Sequence, residues 1–283
     1  TWIDAIQAGN YITWPGLTPT AVRQHFPDYD KTQKGHMKKQ QQGVRSTRIK
    51  NEMMTENTSN KDPPPKKMQD VYIKIHNATK TMHSDQTGHF PVTSSKGNQY
   101  IMVLVEVDGN YIDAAPMKNR SAGSMIKAYL ALWARITATG TIRPTTHLMD
   151  NEASAELKAE IKKNCSIQLV PPDNHRRNLA ERAIQTFKSH FKSVLAGVDD
   201  SFPMRLWDKL LPQTILTLNL LRQSNVAPTV SAYQYVHGAF DYNKMPLAPL
   251  GCAVQLYESN ARRGTWAEHS TDGWYIGTST EHY

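Results

Sequence analysis

Two aspartates and one glutamate stand in settings that suit metal-dependent chemistry. Asp85 lies in the stretch Met-His-Ser-Asp-Gln-Thr-Gly (82–88), Asp150 in Leu-Met-Asp-Asn-Glu (148–152), and Glu181 near the start of a long predicted helix. Two Asp and one Glu, held around one point by separate elements, are the ligands that a pair of Mg²⁺ ions requires to drive phosphodiester chemistry. The three lie far apart in the chain, so only the fold can bring them together.

The elements that must position these residues alternate between β and α. Strands are predicted at 71–76, 80–85, 99–107, 111–117, 145–149 and 166–170, and helices from Ser121 to about 138, at 152–163, at about 177–196 and at 203–222, the last bent at Pro212. This order predicts an α/β fold whose mixed sheet is flanked by helices. Chemistry in such sheets gathers at strand ends, and Asp85 and Asp150 both stand there. Taken singly, an Asp at a strand end is more often a turn or cap residue than a metal ligand.

Glu181 lies on a polar face of its predicted helix. That face repeats at helical spacing through Glu181, Gln185, Lys188 and Lys192. An apolar stripe follows another face through Leu179, Ala183, Phe187, Phe191 and Val194 or Leu195. One end of the polar face could hold a metal while the lysines meet phosphates. A solvated face with Glu–Lys pairing is the alternative for this helix taken alone.

Charge and composition point to a polyanionic partner. The net charge is +8, and residues 31–70 hold ten Lys and Arg against four Asp and Glu. Nucleic acid or an acidic membrane face would suit this balance, although the basic stretch could also be a solvated connector. The sequence has no apolar run long enough to span a membrane and no secretory signal peptide, and its two cysteines favour a reducing compartment.

Composition shifts divide the chain into three predicted parts. Residues 1–70 combine a short helix, capped by Thr18, with the basic linker that ends in a proline triplet. Residues 71–240 hold the αβ pattern. Residues 241–283 contain short β-like runs and are expected to form a small β-rich segment that is truncated.

The three carboxylate settings resemble the catalytic core of retroviral and retrotransposon integrases, the Asp-Asp-Glu members of the RNase H-like fold. The likeness is strongest to integrases of copia-type LTR retrotransposons. The matching segments are His83-Ser84-Asp85 with Gly88 for the first motif, Asp150-Asn151-Glu152 for the second, Asn174 to Glu181 and Lys188 for the third, Trp207 to Arg222 with Pro228 and Ser231-Ala232-Tyr233 for the end of the core, and Leu250-Gly251-Cys252 with 273–277 for the segment after it.

The resemblance implies a fold, a reaction and a set of site residues. The fold is an RNase H-like mixed five-stranded sheet flanked by helices, with a basic N-terminal extension and a small β-rich C-terminal segment. The reaction is DNA 3′-end processing and strand transfer, with Asp85 bridging two Mg²⁺ or Mn²⁺ ions and with Asp150 and Glu181 each holding one. The expected DNA contacts are Asn151, Arg176, Arg177, Gln185, Lys188 and Lys192.

The resemblance also implies a setting for the protein. It would be part of a Pol polyprotein, act on element ends and target DNA as a homo-oligomer, and reside in the nucleus or in a cytoplasmic retroelement particle rather than in a membrane or outside the cell.

The sequence departs from the family at three points. The interval from Asp150 to Glu181 is shorter than is usual in retroviral integrases, and Gln185 stands where those enzymes often carry lysine. No Cys pair follows His25 and His36, so no zinc site is predicted. Three alternatives stay open: an RNase H-like nuclease that only hydrolyses, a catalytically decayed or co-opted DNA-binding protein, and an α/β domain with coincidental carboxylates.

Overall fold

The computed structural model describes residues 2–25, 30–37, 80–150, 153–170, 179–259 and 261–278. The described residues of the segments 1–36 and 78–283 belong to one compact unit. The strand predicted at 71–76 and most of the basic stretch 31–70 lie outside the described residues.

The described chain alternates strands and helices in the predicted order. The strands are β1 (Thr81–Gln86), β2 (Tyr100–Glu106), β3 (Tyr111–Met117), β4 (Thr146–Asp150), β5 (Ser166–Val170), β6 (Ala253–Tyr257) and β7 (Ser270–Trp274). The helices are α1 (Trp2–Gln7), α2 (Pro19–Gln24), α3 (Asp30–His36), α4 (Ala122–Thr137), α5 (Ala155–Lys162), α6 (Leu179–Ala196), α7 (Leu211–Leu221) and α8 (Ala232–His237), with a 3₁₀ helix at Met204–Lys209.

The first five strands form one mixed sheet in the order β3-β2-β1-β4-β5. Strand β2 pairs antiparallel with β1 and β3, and β4 pairs parallel with β1 and β5. All but the first residue of β2 are buried, as expected for its continuous apolar run between two helical layers. This arrangement confirms the predicted fold class, an RNase H-like mixed sheet flanked by helices.

Helices cover the sheet and bury its faces. Helix α4 packs on β2 and β3 and buries the predicted stripe of Met125, Tyr129, Leu132 and Ile136. Its N-cap is the predicted Ser121, whose Oγ accepts a hydrogen bond from the Ser124 amide. Helix α6 packs on β1 and β2, and α7 packs on β3 and α6. These contacts hold α6 against β1, the strand that carries Asp85, and hold α7 against α6.

The prediction of one helix over 203–222, bent at Pro212, is wrong. A 3₁₀ helix covers Met204–Lys209, and α7 then begins at Leu211 with Pro212 in its first turn. Proline lacks a backbone N–H, and the first turn is where a helix has no use for one, so Pro212 starts a helix instead of bending it.

The two ends of the described chain add smaller elements. Thr18 caps α2 as predicted, because its Oγ1 accepts from the Ala21 amide at 3.1 Å. Helix α3 lies against α6. Strands β6 and β7 form a two-stranded antiparallel sheet, which matches the expected small β segment. In the part of the chain that the structure describes, no helix is both long and apolar enough to cross a membrane.

Candidate metal centre

The two aspartates lie on neighbouring parallel strands. The residue pairs of β1 and β4 run from Thr81 with Thr146 to His83 with Leu148. Both strands continue beyond the last of these pairs, and Asp85 and Asp150 lie in the continuations, Asp85 on β1 and Asp150 at the end of β4. Asp150 is the last residue of β4, not the residue after it as the sequence suggested. The fold therefore places the two aspartates on adjacent strands, although they are far apart in sequence.

The backbone beside Asp85 is fixed against strand β2. The Asp85 carboxylate accepts a hydrogen bond from the Gln86 amide at 2.7 Å. The Thr87 amide donates to the Ile101 carbonyl at 2.8 Å, and the Ile101 amide donates to Thr87 Oγ1 at 3.2 Å. The Arg120 guanidinium donates to the Thr87 carbonyl at 3.2 Å. Asp85 is therefore half-buried near the end of a strand that hydrogen bonds join to β2.

Glu181 lies in the first turn of α6, and its side chain is exposed. The opposite side of α6 packs into the core through Ala180, Ala183, Ile184, Phe187 and Phe191. Gln185, Lys188 and Lys192 are exposed as predicted. Because α6 is anchored on β1 and β2, its first turn is held in a fixed position relative to the strand that carries Asp85.

Several predicted site residues lie outside the described part of the chain. These are Asn151, Arg176, Arg177 and the side chain of Asp150. Among the described side chains, no three His, Cys, Asp or Glu residues form a group able to hold a metal. That set excludes Asp150, so the three-carboxylate centre stays a prediction.

A buried hydrogen bond joins the two aspartate strands and was not foreseen from the sequence. Ser84 Oγ lies 2.7 Å from His147 Nε2, and both side chains are buried. The Tyr129 ring of α4 packs on the imidazole, with ring centroids 5.5 Å apart. Burial, together with nearby His83, lowers the pKa of His147 to about 3, so its ring is uncharged at neutral pH.

An aromatic cluster connects the loop after β1 to helix α6. Trp207 is fully buried, stacks on Phe90 at 4.4 Å and meets the edge of Phe191. Its indole N–H donates to the Val92 carbonyl at 2.8 Å. The cluster therefore couples the segment that follows Asp85 to the helix that carries Glu181. The sequence carried only a weak signal for it, since Trp207 appeared only as the start of a family-like helix.

The residues considered for zinc lie in separate places. His25 follows α2, and His36 ends α3. Cys165 is buried and its thiol lies 3.8 Å from the Ile161 carbonyl, while Cys252 lies partly buried before β6. Burial raises the pKa of the Cys165 thiol, which suits a packing role.

Comparison with known proteins gives structural matches only. Neither a family model nor a curated protein matches the sequence. The chain is similar to the catalytic core domain of BIV integrase, at 17% identity and a TM-score of 0.41, over 56% of this chain and 93% of that one. It is also similar to a chain of the simian T-cell lymphotropic virus intasome, solved in complex with PP2A regulatory subunit B56 gamma. That match has 18% identity and a TM-score of 0.44, over 69% of this chain and 66% of that one.

Proposed function

We propose that this chain is the integrase of a copia-type LTR retrotransposon, which trims DNA 3′ ends and joins them to target DNA. The observation that carries the proposal is the parallel pairing of β1 with β4, which puts Asp85 and Asp150 on adjacent strands. Helix α6 supports it, because it is anchored on β1 and carries Glu181 in an exposed first turn. The order of the three motifs along the chain agrees with that assignment.

The candidate ligands suit hard divalent cations. Carboxylate oxygens are what Mg²⁺ and Mn²⁺ prefer, and Asp85 is held on a rigid strand end while remaining partly accessible. When bound, two such ions supply an activated oxygen nucleophile and stabilise the leaving oxygen. The chain's own part is to hold Asp85, Asp150 and Glu181 at a spacing that two ions can share. No zinc site belongs to the proposal.

The remaining polar face of α6 would contact DNA. Gln185, Lys188 and Lys192 are exposed and continue the line that begins at Glu181. Lysines along such a line would meet successive phosphates, and Arg176 and Arg177 would add to them just before the helix. The net charge of +8 favours the same polyanionic partner. DNA joining of two ends implies a multimer, so we expect this chain to assemble with copies of itself.

A strand-transfer assay with matched glutamate variants tests the proposal. The full chain is incubated with Mg²⁺, a supercoiled plasmid and short DNA duplexes with randomised ends, and joined products are sequenced. Glu181→Gln should reduce joining by more than about 100-fold, because the carboxylate is a metal ligand. Glu156→Gln is the control, since Glu156 is also an exposed glutamate in the first turn of a helix, α5.

The products also separate the alternatives. Metal-dependent cutting of DNA or RNA–DNA hybrid without joining would indicate a nuclease of the same fold. DNA binding with no metal-dependent chemistry by the unaltered chain would indicate a co-opted binding protein. Joining that survives Glu181→Gln at full rate would refute the assignment of Glu181.

A further inference from the structure

The buried bond between Ser84 and His147 lies where backbone pairing between the aspartate strands ends. The parallel pairs of β1 and β4 extend to His83 and Leu148. One residue further, the Ser84 hydroxyl reaches diagonally back to His147 at 2.7 Å. Asp85 is the next residue of β1. The bond therefore ties the two strands immediately before the positions that would share a metal.

The side chains of Ser84 and His147 lie on one face of the sheet, and the side chain of Asp85 lies on the opposite face. Successive side chains of a strand point to opposite faces, so Ser84 and Asp85 diverge. The face of Ser84 and His147 is the one covered by α4, because the Tyr129 ring packs on the imidazole. Neither residue is thus available to metal or DNA. Any effect of changing them on metal binding would have to pass through the strands.

The surroundings hold His147 in one position. The imidazole is fully buried and packs at a tilt against the Tyr129 ring, which is itself fully buried. The Nδ1 atom of His147 has no hydrogen-bond partner among the described residues. The hydrogen bond between Nε2 and Ser84 Oγ is therefore the polar contact that holds the ring there. A buried polar group that loses its partner destabilises its surroundings, and here the ends of β1 and β4 would move apart or slide.

We infer that Ser84 and His147 are positioning residues whose hydrogen bond sets the spacing of Asp85 and Asp150 for divalent metal binding. This inference rests on the proposed function. A hydrogen bond between two buried side chains resists small shifts of β1 relative to β4. Metal sites tolerate little change in the spacing of their ligands. The two residues act through the backbone of their strands and touch neither metal nor substrate.

Direct Mn²⁺ binding to the full chain, followed by electron paramagnetic resonance of the free ion, tests the inference without relying on activity. Ser84→Ala should weaken Mn²⁺ binding by about 10-fold, the effect typical of residues that orient metal ligands. His147→Leu should do the same. The double variant should be no weaker than either single variant, because both remove one shared bond. Ser84→Thr keeps the hydroxyl and should restore most of the affinity.

A matched control separates positioning from general loss of stability. Thr214 is fully buried and its hydroxyl donates to the Leu210 carbonyl at 2.7 Å in α7. Thr214→Val should lower the melting temperature while leaving Mn²⁺ affinity unchanged. His147→Gln serves as a second, milder variant if His147→Leu does not fold.

The outcomes distinguish this inference from the proposed function. Mn²⁺ binding by the unaltered chain that is lost in Asp85→Asn establishes the site. If Ser84→Ala and His147→Gln then change stability alone, with affinity within about twofold of the unaltered chain, the positioning role is overturned while the site stands. If the unaltered chain binds no Mn²⁺ through Asp85, both the proposed function and this inference fail.

Discussion

The side chain of Asn219 forms hydrogen bonds with the outer edge of β3, the edge strand of the main sheet. Its Oδ1 accepts from the Ile112 amide at 2.9 Å, and its Nδ2 donates to the Ile112 carbonyl at 2.7 Å. Both residues are fully buried. An amide side chain from α7 thus takes the place of a sixth strand at this point and joins the helix layer to the sheet.

Asn219→Ala should remove a large part of the stability of the protein. It leaves the Ile112 N–H and C=O buried without partners, and each such group costs about 1–3 kcal/mol. The two together predict a loss of about 2–6 kcal/mol, a considerable share of the roughly 5–15 kcal/mol that holds a typical domain folded. Urea unfolding followed by far-ultraviolet circular dichroism measures the loss.

Asn225→Ala is the matched control. Asn225 also donates its side-chain amide to a backbone carbonyl, that of Val107 at 2.6 Å, but it is exposed. Water replaces the lost bond there, so the expected cost is below about 1 kcal/mol. Equal losses for the two variants would refute the reasoning, because the difference rests on burial. Faster exchange of the Ile112 amide proton in Asn219→Ala would locate the effect.

Two further predictions concern a buried base and a tight turn. Burial holds the pKa of His147 at about 3 against an ordinary 6.5, so below pH 6.5 the unfolded chain binds a proton that the folded chain does not. The stability that this group contributes is complete above pH 6.5 and is lost toward pH 3 at about 1.4 kcal/mol per pH unit. In His147→Gln, the free energy of unfolding in urea should lack this dependence on pH between about pH 7 and 5. An unchanged dependence would contradict a buried neutral ring. At Gly109 an added Cβ would lie 2.8 Å from the Tyr235 ring and 2.9 Å from Glu106 Oε2, so Gly109→Ala should lower stability by about 1–3 kcal/mol. Gly123→Ala in α4, where nothing lies within 4 Å, should be neutral or slightly stabilising, and similar melting temperatures for both variants would contradict the close packing at Gly109.

Local patterns predicted most of the elements because they depend on neighbouring residues. The run at 99–107 gave β2 to within one residue at either end, and Thr18 and Ser121 cap the helices they were expected to cap. Helix α5 was placed too early, since its cap is Ser154, whose Oγ accepts from the Leu157 amide at 3.2 Å. A serine near the start of a helical pattern is a cap signal, and Ser154 therefore marks the start of α5.

Contacts between distant segments could not be predicted from such patterns. The Ser84–His147 bond and the Trp207–Val92 bond both join residues that only the folded sheet brings together. Alternation along β1 does separate Ser84 from Asp85, but the partner on β4 depends on the strand register. For the same reason, the sequence named the three carboxylates without showing that Asp85 and Asp150 lie on adjacent parallel strands.

Anomalous diffraction from crystals of the full chain grown with Mn²⁺ tests the central claim most directly. The account predicts two peaks roughly 4 Å apart, one between the carboxylates of Asp85 and Asp150 and the other reached by Glu181. Mn²⁺ peaks at other places, with Asp85 and Asp150 turned away from any ion, would contradict the account.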